Sequence, residues 1–386
     1  MDKKKAIGFV VLLGLVSLFA DITYEGARGA LGPFFQTLGA SAAVVGFAMG
    51  FGEMIGYTFR LLSGFLSDAT KKYWFFTILG YTVNLLVVPA LALAGSWQFA
   101  LALVVLERFG KALRTPARDA MLSYAAENVG VGWAFGLHEA MDQIGAITGP
   151  ILVSLLLAWK NDYKLSFAFL AVPALAALVF LLSARIAYPK PDELRVKKYD
   201  VVPGKLGRSY WVYLVAVMLI AFGFADFPLI GFHLKGRMSD HLIPALYGYA
   251  MGVDALSALF FGKTYDRVGL SALMIATGLS AFFAPFAFLG SVPLAIAGVT
   301  LWGIGMGAQE SIMRAVIADI TPPDKRGGAY GFFFTCYGFA WFVGSWIMGI
   351  LYERHMAFLV AVSVVSQVLA VLILFLLRGG KIREGD

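Results

Sequence analysis

The most constraining feature of this sequence is a series of apolar runs, each long enough for a helix to cross a bilayer. A spanning helix needs about 20 mostly apolar residues, and twelve runs of 20 to 33 residues fill the chain. The runs show no period-two alternation, and lipid requires backbone polar groups to be bonded internally, which favours helices over strands. Their approximate bounds are 6–38, 43–67, 73–94, 98–125, 133–158, 165–186, 210–234, 243–265, 270–289, 293–318, 329–352 and 357–378. The sequence therefore predicts an all-α membrane protein with 12 transmembrane helices and no large soluble domain.

The distribution of Lys and Arg predicts how these helices are oriented. Of the 31 basic residues, 23 fall on the side of the predicted topology that holds both termini, and five fall on the other side. The 23 include Lys111, Arg114 and Arg118, which follow the middle of the fourth run. Because cytoplasmic loops are enriched in Lys and Arg, we expect both termini in the cytoplasm and the chain in a prokaryotic cytoplasmic membrane. The net charge of +7 then reflects topology and contact with membrane lipid, not nucleic acid.

A polar connection and a set of repeated patterns divide the runs into two halves. We expect an N-terminal six-helix bundle over 1–186, a cytoplasmic linker over 187–209 and a C-terminal six-helix bundle over 210–386. The patterns that recur across the linker are Gly64-x-x-x-Asp68 with Gly262-x-x-x-Asp266-Arg267-x-Gly269, Phe19-Ala20-Asp21 with Phe224-Ala225-Asp226, and Gly149 with Gly344. The two bundles are thus expected to be pseudo-symmetric.

The first repeated pattern resembles the loop motif between the second and third spans of the major facilitator superfamily, and the resemblance extends over the whole chain. The residues that match the two copies of this gating motif are Gly64, Asp68, Gly262, Asp266, Arg267 and Gly269. The resemblance implies two six-helix bundles with a central site and alternating access. An aspartate of the motif can accept hydrogen bonds from the N-terminal amides of a neighbouring helix, which would hold one closed state.

A second motif lies in the fifth run and resembles that of drug–proton antiporters in the same superfamily. It consists of Gly145, Gly149 and Pro150. Ordinary close packing of helices through small residues is the alternative interpretation. The stretches 107–122 and 135–142 also resemble a bacterial and archaeal subgroup of efflux permeases.

Ionisable residues inside the apolar runs form the candidate transport site. Such residues cost at least about 2.5 to 3.5 kcal/mol each at membrane depth, so they usually face a bundle interior or a wet cavity. In the first run, Asp21, Glu25 and Arg28 share one helix face, and in the fifth run His138 and Asp142 are one turn apart. The full set that we predict to bind protons or substrate is Asp21, Tyr24, Glu25, Arg28, Glu53, Glu107, Arg108, His138, Glu139, Asp142, Asp226 and Glu310.

Proton coupling requires a carboxyl group whose protonation responds to its surroundings, because apolar walls favour the neutral form and a nearby cation favours the charged form. We predict that Asp142 or Asp21 carries the proton, with Glu25 next. Arg108 would be the tuning charge and His138 a relay. The alternative is that neighbouring charges are paired ions that hold the bundle together, namely Glu107 with Arg108, Glu25 with Arg28, and Arg118 with Asp119.

We therefore expect a secondary transporter that exports a small cationic or amphipathic molecule in exchange for protons. Motifs of nucleotide-binding loops, nucleophile triads and zinc proteases are missing from the sequence, so we expect neither an enzyme nor a cofactor. One alternative is a divalent-metal transporter with His138, Asp142, Asp21 and Glu25 as candidate ligands. Another is a non-transporting membrane receptor or a lipid scramblase. One chain contains both halves, so a monomer is sufficient.

Overall fold

The computed structural model describes residues 3–190, 206–321 and 326–379. Within these ranges the chain forms fourteen α-helices and no β-strand. The helices are α1 Lys3–Thr37, α2 Ala42–Thr70, α3 Tyr73–Ala90, α4 Trp97–Val129, α5 Val131–Lys160, α6 Tyr163–Phe169, α7 Ala171–Ala187, α8 Arg208–Phe222, α9 Phe227–Leu234, α10 Leu242–Val268, α11 Leu270–Ser280, α12 Val292–Ile320, α13 Arg326–Arg354 and α14 Met356–Gly379. The predicted all-α fold class is confirmed.

Eleven segments of the described chain are long and apolar enough to cross a membrane. Three of them are interrupted helices: α6 with α7, α8 with α9, and α11 with the π-helical turn Pro285–Leu289. The twelfth predicted run is α4, which has 33 residues and is less apolar than the others because it carries seven charged side chains. Twelve helical segments therefore correspond to the twelve predicted runs.

The chain divides into two compact units whose limits differ from the predicted halves. Unit 1 consists of Met1–Gly39, Thr58–Tyr199 and Ser239–Gly248, and unit 2 of Ala40–Tyr57, Asp200–Met238 and Tyr249–Asp386. The first half of α2 is thus grouped with the C-terminal helices, and the start of α10 with the N-terminal helices. The predicted linker over 187–209 lies mostly outside the described residues, and the division at that linker stays a prediction.

Glycines allow the same close helix contact in each unit. In unit 1 a Cβ at Gly149 of α5 would meet the backbone of Ile22 and Gly26 in α1. In unit 2 a Cβ at Gly344 of α13 would meet the backbone of Phe222 in α8. Because Gly149 and Gly344 are counterparts in the sequence repeat, this matched packing supports two pseudo-symmetric sets of helices.

Candidate functional site

Two carboxyl groups, one buried and one partly exposed, meet where α1 and α5 pack together in unit 1. Asp21 is only 4% exposed, and the Asp142 carboxyl lies within hydrogen-bonding reach of Asp21 and of the Ser17 hydroxyl. Gly145 makes this approach possible, because a Cβ at that position would lie 2.8 Å from the Cβ of Asp21. Asp21 Oδ2 and Asp142 Oδ1 are buried and accept no hydrogen bond from the described part of the chain. The sequence-predicted proton carriers therefore form one pair.

His138 completes this carboxyl pair on the α5 side. Its Nδ1 lies 3.5 Å from Asp142 Oδ2, one helical turn away, and the residue is 4% exposed. Its Nε2 has no hydrogen-bond partner among the described residues. The geometry allows a proton to pass between the imidazole and the carboxyl group after a small side-chain rotation.

Glu25 lies at the centre of a second group of charges in unit 1. Its Oε2 accepts a 2.5 Å hydrogen bond from the hydroxyl of Tyr247, and its Oε1 lies 3.9 Å from Lys111 Nζ. The Lys111 ammonium also lies 4.1 Å from the centre of the Tyr24 ring, a cation–π contact. Arg28 is within electrostatic reach of the same carboxylate. The charges on α1 and α4 thus compensate one another inside the unit.

Glu107 and Arg108 form an ion pair, as the alternative interpretation of paired ions predicted. Arg108 Nε lies 3.3 Å from Glu107 Oε2, and Asn84 of α3 donates a 2.6 Å hydrogen bond to Glu107 Oε1. These two charged residues, with Tyr24 and Arg28, contribute the polar part of the lining of a small cavity in unit 1. The rest of that cavity is apolar.

Three basic residues that the sequence analysis counted on the side of the termini have buried contacts within unit 1. Lys111, Arg114 and Arg118 lie within α4, and Arg114 is only 1% exposed, with its guanidinium 4.1 Å from the centre of the Tyr81 ring. Arg118 pairs with Asp119 at 2.8 Å and donates to the Ser17 hydroxyl. These residues continue the helix face that begins at Glu107, at spacings of four, seven and eleven. That spacing is the signal that could have revealed them, whereas Asn84, Tyr81 and Tyr247 had no comparable signal.

The remaining predicted site residues lie elsewhere. Asp226 of unit 2 is 1% exposed and accepts a 2.8 Å hydrogen bond from Trp341 Nε1. Glu53 and Glu310 also belong to unit 2, where both are within electrostatic reach of Tyr337 together with Asp226. Glu139 is exposed on α5 and accepts a 3.4 Å hydrogen bond from Gln143. The predicted residues thus separate into a mixed-charge group in unit 1 and an acidic group in unit 2.

The two copies of the gating motif have different surroundings. Asp68 accepts a 3.0 Å hydrogen bond from the Tyr73 hydroxyl, not from helix N-terminal amides. Gly269 has a φ of +58°, which an L-residue rarely adopts, and it separates α10 from α11. Asp266 and Arg267 are exposed at the end of α10.

The candidate ligands of the metal alternative do not lie in one cluster. Among the described residues, no group of three or more His, Cys, Asp or Glu side chains is arranged to hold a metal ion. The four candidate ligands fall into the Asp21–Asp142–His138 group and the separate Glu25 group described above.

Comparison with known proteins identifies relatives over nearly the whole chain. A family model, the Major Facilitator Superfamily, matches residues 13–235 and 227–384. An uncharacterised protein of Mycobacterium tuberculosis is 38% identical over 384 residues, covering 96% of this chain and 93% of the relative. An uncharacterised transporter of this type from Methanocaldococcus jannaschii is 27% identical, covering 95% and 94%. Among solved structures, the nucleoside transporter NupG has a TM-score of 0.72 at 14% identity, covering 96% and 98%.

Proposed function

This chain belongs to the Major Facilitator Superfamily, and on that premise we propose that it is a proton-coupled secondary transporter in which Asp21 and Asp142 carry the proton. One observation carries the proposal: the buried carboxyl group of Asp21 and the partly exposed carboxyl group of Asp142 lie within hydrogen-bonding reach of each other. Two carboxyl groups at such a distance resist simultaneous ionisation, so they share a proton. Release of that proton adds one negative charge to unit 1.

The cations near this pair make the binding of its proton reversible. Lys111 and Arg114 are within electrostatic reach of Asp21, and Arg118 and Arg114 are within reach of Asp142. They stabilise the ionised pair, whereas burial stabilises the protonated pair. A site with both influences can load and release a proton during one cycle. Arg108, the tuning charge predicted from sequence, pairs instead with Glu107.

The proposed substrate is a small cationic or amphipathic molecule, which the chain exports by alternating access in exchange for protons. The acidic group of unit 2 supports a cationic substrate. Its members Glu53, Asp226 and Glu310 are all within electrostatic reach of one tyrosine, Tyr337. Aromatic rings lie beside this acidic group: the ring centres of Tyr57 and Tyr337 are 5.4 Å apart. Carboxylates beside aromatic faces attract organic cations.

Transport by purified protein in liposomes tests this proposal. The probe is ethidium, an aromatic cation, with a pH-sensitive dye inside the liposomes and an imposed pH gradient. We expect ethidium to move against the proton flow in the natural protein. The variant Asp142→Asn should remain monodisperse but lose this coupled flux, falling at least tenfold.

The matched control is Asp162→Asn, which makes the same change at the N-cap of α6. Asp162 accepts hydrogen bonds from the backbone of Lys164 and Leu165, and Asn caps helices as well as Asp does. This control should transport normally. Coupled flux in Asp142→Asn equal to that of the natural protein would refute the proton role, and absence of ethidium flux in the natural protein would count against the cationic substrate.

A further inference from the structure

The start of α10 is attached to unit 1 by a buried hydrogen bond that has no part in the proposed proton-carrying pair. Tyr247 is 2% exposed, and its hydroxyl donates to Glu25 Oε2 at 2.5 Å. The two residues are 222 positions apart in the chain. Tyr247 belongs to the segment Ser239–Gly248, which is the part of the C-terminal helices that unit 1 contains.

The surroundings of Tyr247 are shaped for this contact. A Cβ at position 29 would lie 3.0 Å from the Cβ of Tyr247, so Gly29 leaves room for the ring one turn after Glu25. A second hydrogen bond attaches the same segment, from the Tyr163 hydroxyl to Asp240 Oδ2 at 2.8 Å. The Tyr247 bond is the one that reaches Glu25, next to the charged residues of α4.

Glu25 has an alternative partner close by. Lys111 Nζ lies 3.9 Å from Glu25 Oε1, at the outer limit of an ion pair, while it rests 4.1 Å from the centre of the Tyr24 ring. The charged groups that face Glu25 are Arg28, Lys111, Arg108 and Asp21. If Tyr247 withdrew, Lys111 could move closer, so that the buried carboxylate would not be left uncompensated.

We infer that Tyr247 is a positioning residue for transport: its hydrogen bond to Glu25 is a latch that holds the segment Ser239–Gly248 in unit 1. The latch opens by partner exchange, in which Lys111 replaces the Tyr247 hydroxyl on Glu25. This inference rests on the proposed transport cycle, since the latch has a role only if the segment leaves unit 1 during that cycle. It links the position of α10 directly to the charges beside the proton-carrying pair.

Distances between spin labels test the latch without any substrate. Labels at Lys164→Cys and Leu242→Cys, both exposed, are introduced into full-length protein in nanodiscs, with Cys336→Ala removing the natural cysteine. We expect the natural protein to give a major short distance, with the latch closed, and a minor long distance, with the latch open. Tyr247→Phe should raise the ratio of long to short distances by about tenfold, because a hydrogen bond to a charged acceptor is lost.

Two further variants separate a latch from general loosening. Tyr249→Phe is the matched control, because Tyr249 is 47% exposed and its hydroxyl contacts Thr300, not the charges; its distance distribution should not change. Lys111→Met removes the alternative partner and should lower the long-distance fraction, the opposite of Tyr247→Phe. An unchanged distribution in Tyr247→Phe, or a higher long-distance fraction in Lys111→Met, would overturn the latch.

These outcomes are independent of the proton assay. If Asp142→Asn keeps coupled ethidium flux while Tyr247→Phe shifts the distances as expected, the proton assignment fails and the latch stands. If Asp142→Asn loses coupling and Tyr247→Phe changes no distance, the latch fails and the proton assignment stands.

Discussion

Single buried side chains show how unit 1 accommodates charge at membrane depth. Glu107 is 8% exposed, yet Asn84 donates hydrogen bonds both to its carboxylate at 2.6 Å and to its backbone oxygen at 3.2 Å. Gly80 and Gly110 bring α3 and α4 close enough for this contact. A buried carboxylate without such partners would be strongly destabilising. Asn84 therefore has a structural role beside the transport site.

Replacing Asn84 should lower the stability of the folded protein, because Glu107 depends on it for a hydrogen bond. In Asn84→Leu the Glu107 carboxylate loses its 2.6 Å donor, so we expect unfolding to become easier by about 1 to 3 kcal/mol. Thermal unfolding in detergent, followed by size-exclusion chromatography, measures the effect. Gln98→Leu removes an exposed amide near the start of α4 and should leave the midpoint unchanged. Equal midpoints for the two variants would contradict this role.

The sequence identified some of these residues but gave no signal for the contacts of others. Asp21 and Asp142 are acidic side chains within apolar runs, so their position inside a bundle could be predicted. The contacts of Lys111 and Arg114 inside unit 1 could not be predicted, because basic residues late in a run are also typical of the cytoplasmic ends of helices. Tyr247 carries no charge, and its contact with Glu25 depends on tertiary structure that no local pattern encodes.

At the scale of helices, packing accounts for the glycine motif of the fifth run. Gly145 faces Leu18 and Asp21, and Gly149 faces Ile22 and Gly26. This close approach is what the packing interpretation predicts, and it also brings Asp21 near Asp142. The antiporter interpretation of the motif stays a prediction. The sequence could predict the small residues but not which helix they contact, because hydropathy fixes spans and not their neighbours.

Enlarging Gly149 should disturb the contact between α1 and α5. A Cβ there would lie 2.9 Å from the backbone nitrogen of Gly26 and 2.9 Å from the carbonyl carbon of Ile22. Neither atom can move without shifting α1. We expect Gly149→Ala to lower the free energy of unfolding by about 1 to 3 kcal/mol, as overpacking does. Gly136→Ala is the control on the same helix, because nothing lies within 4 Å of its Cβ position. A fall in the thermal midpoint of both variants alike would contradict the packing argument.

At the scale of the whole molecule, the apolar runs predicted the number of helices but not how they group. The segments Ala40–Tyr57 and Ser239–Gly248 are each counted with helices of the other sequence half. In unit 2 the first of these is attached by the backbone N–H of Ala43, which donates to Glu353 Oε1 at 2.8 Å. The grouping of a segment with helices of the other sequence half depends on long-range contacts, so it cannot be predicted from composition or spacing.

The distribution of basic residues predicts the orientation of the molecule even when the three with buried contacts in α4 are left out. With Lys111, Arg114 and Arg118 assigned to the interior of α4, 20 basic residues remain on the side of the termini against five on the other. A fourfold excess is a strong orienting signal. We therefore expect both termini in the cytoplasm.

Reporter fusions measure this orientation directly. A green fluorescent protein fused after Asp386 should fluoresce, because it folds in the cytoplasm, and alkaline phosphatase inserted after the exposed Arg237 should be active, because it requires the outside. The double variant Lys71→Gln, Lys72→Gln removes two of the 20 charges and should keep this pattern, since the remaining excess is still more than threefold. A dark fluorescent protein at the C-terminus together with an inactive phosphatase at Arg237 would invert the topology, and it would place the α10 start and its latch on the cytoplasmic side.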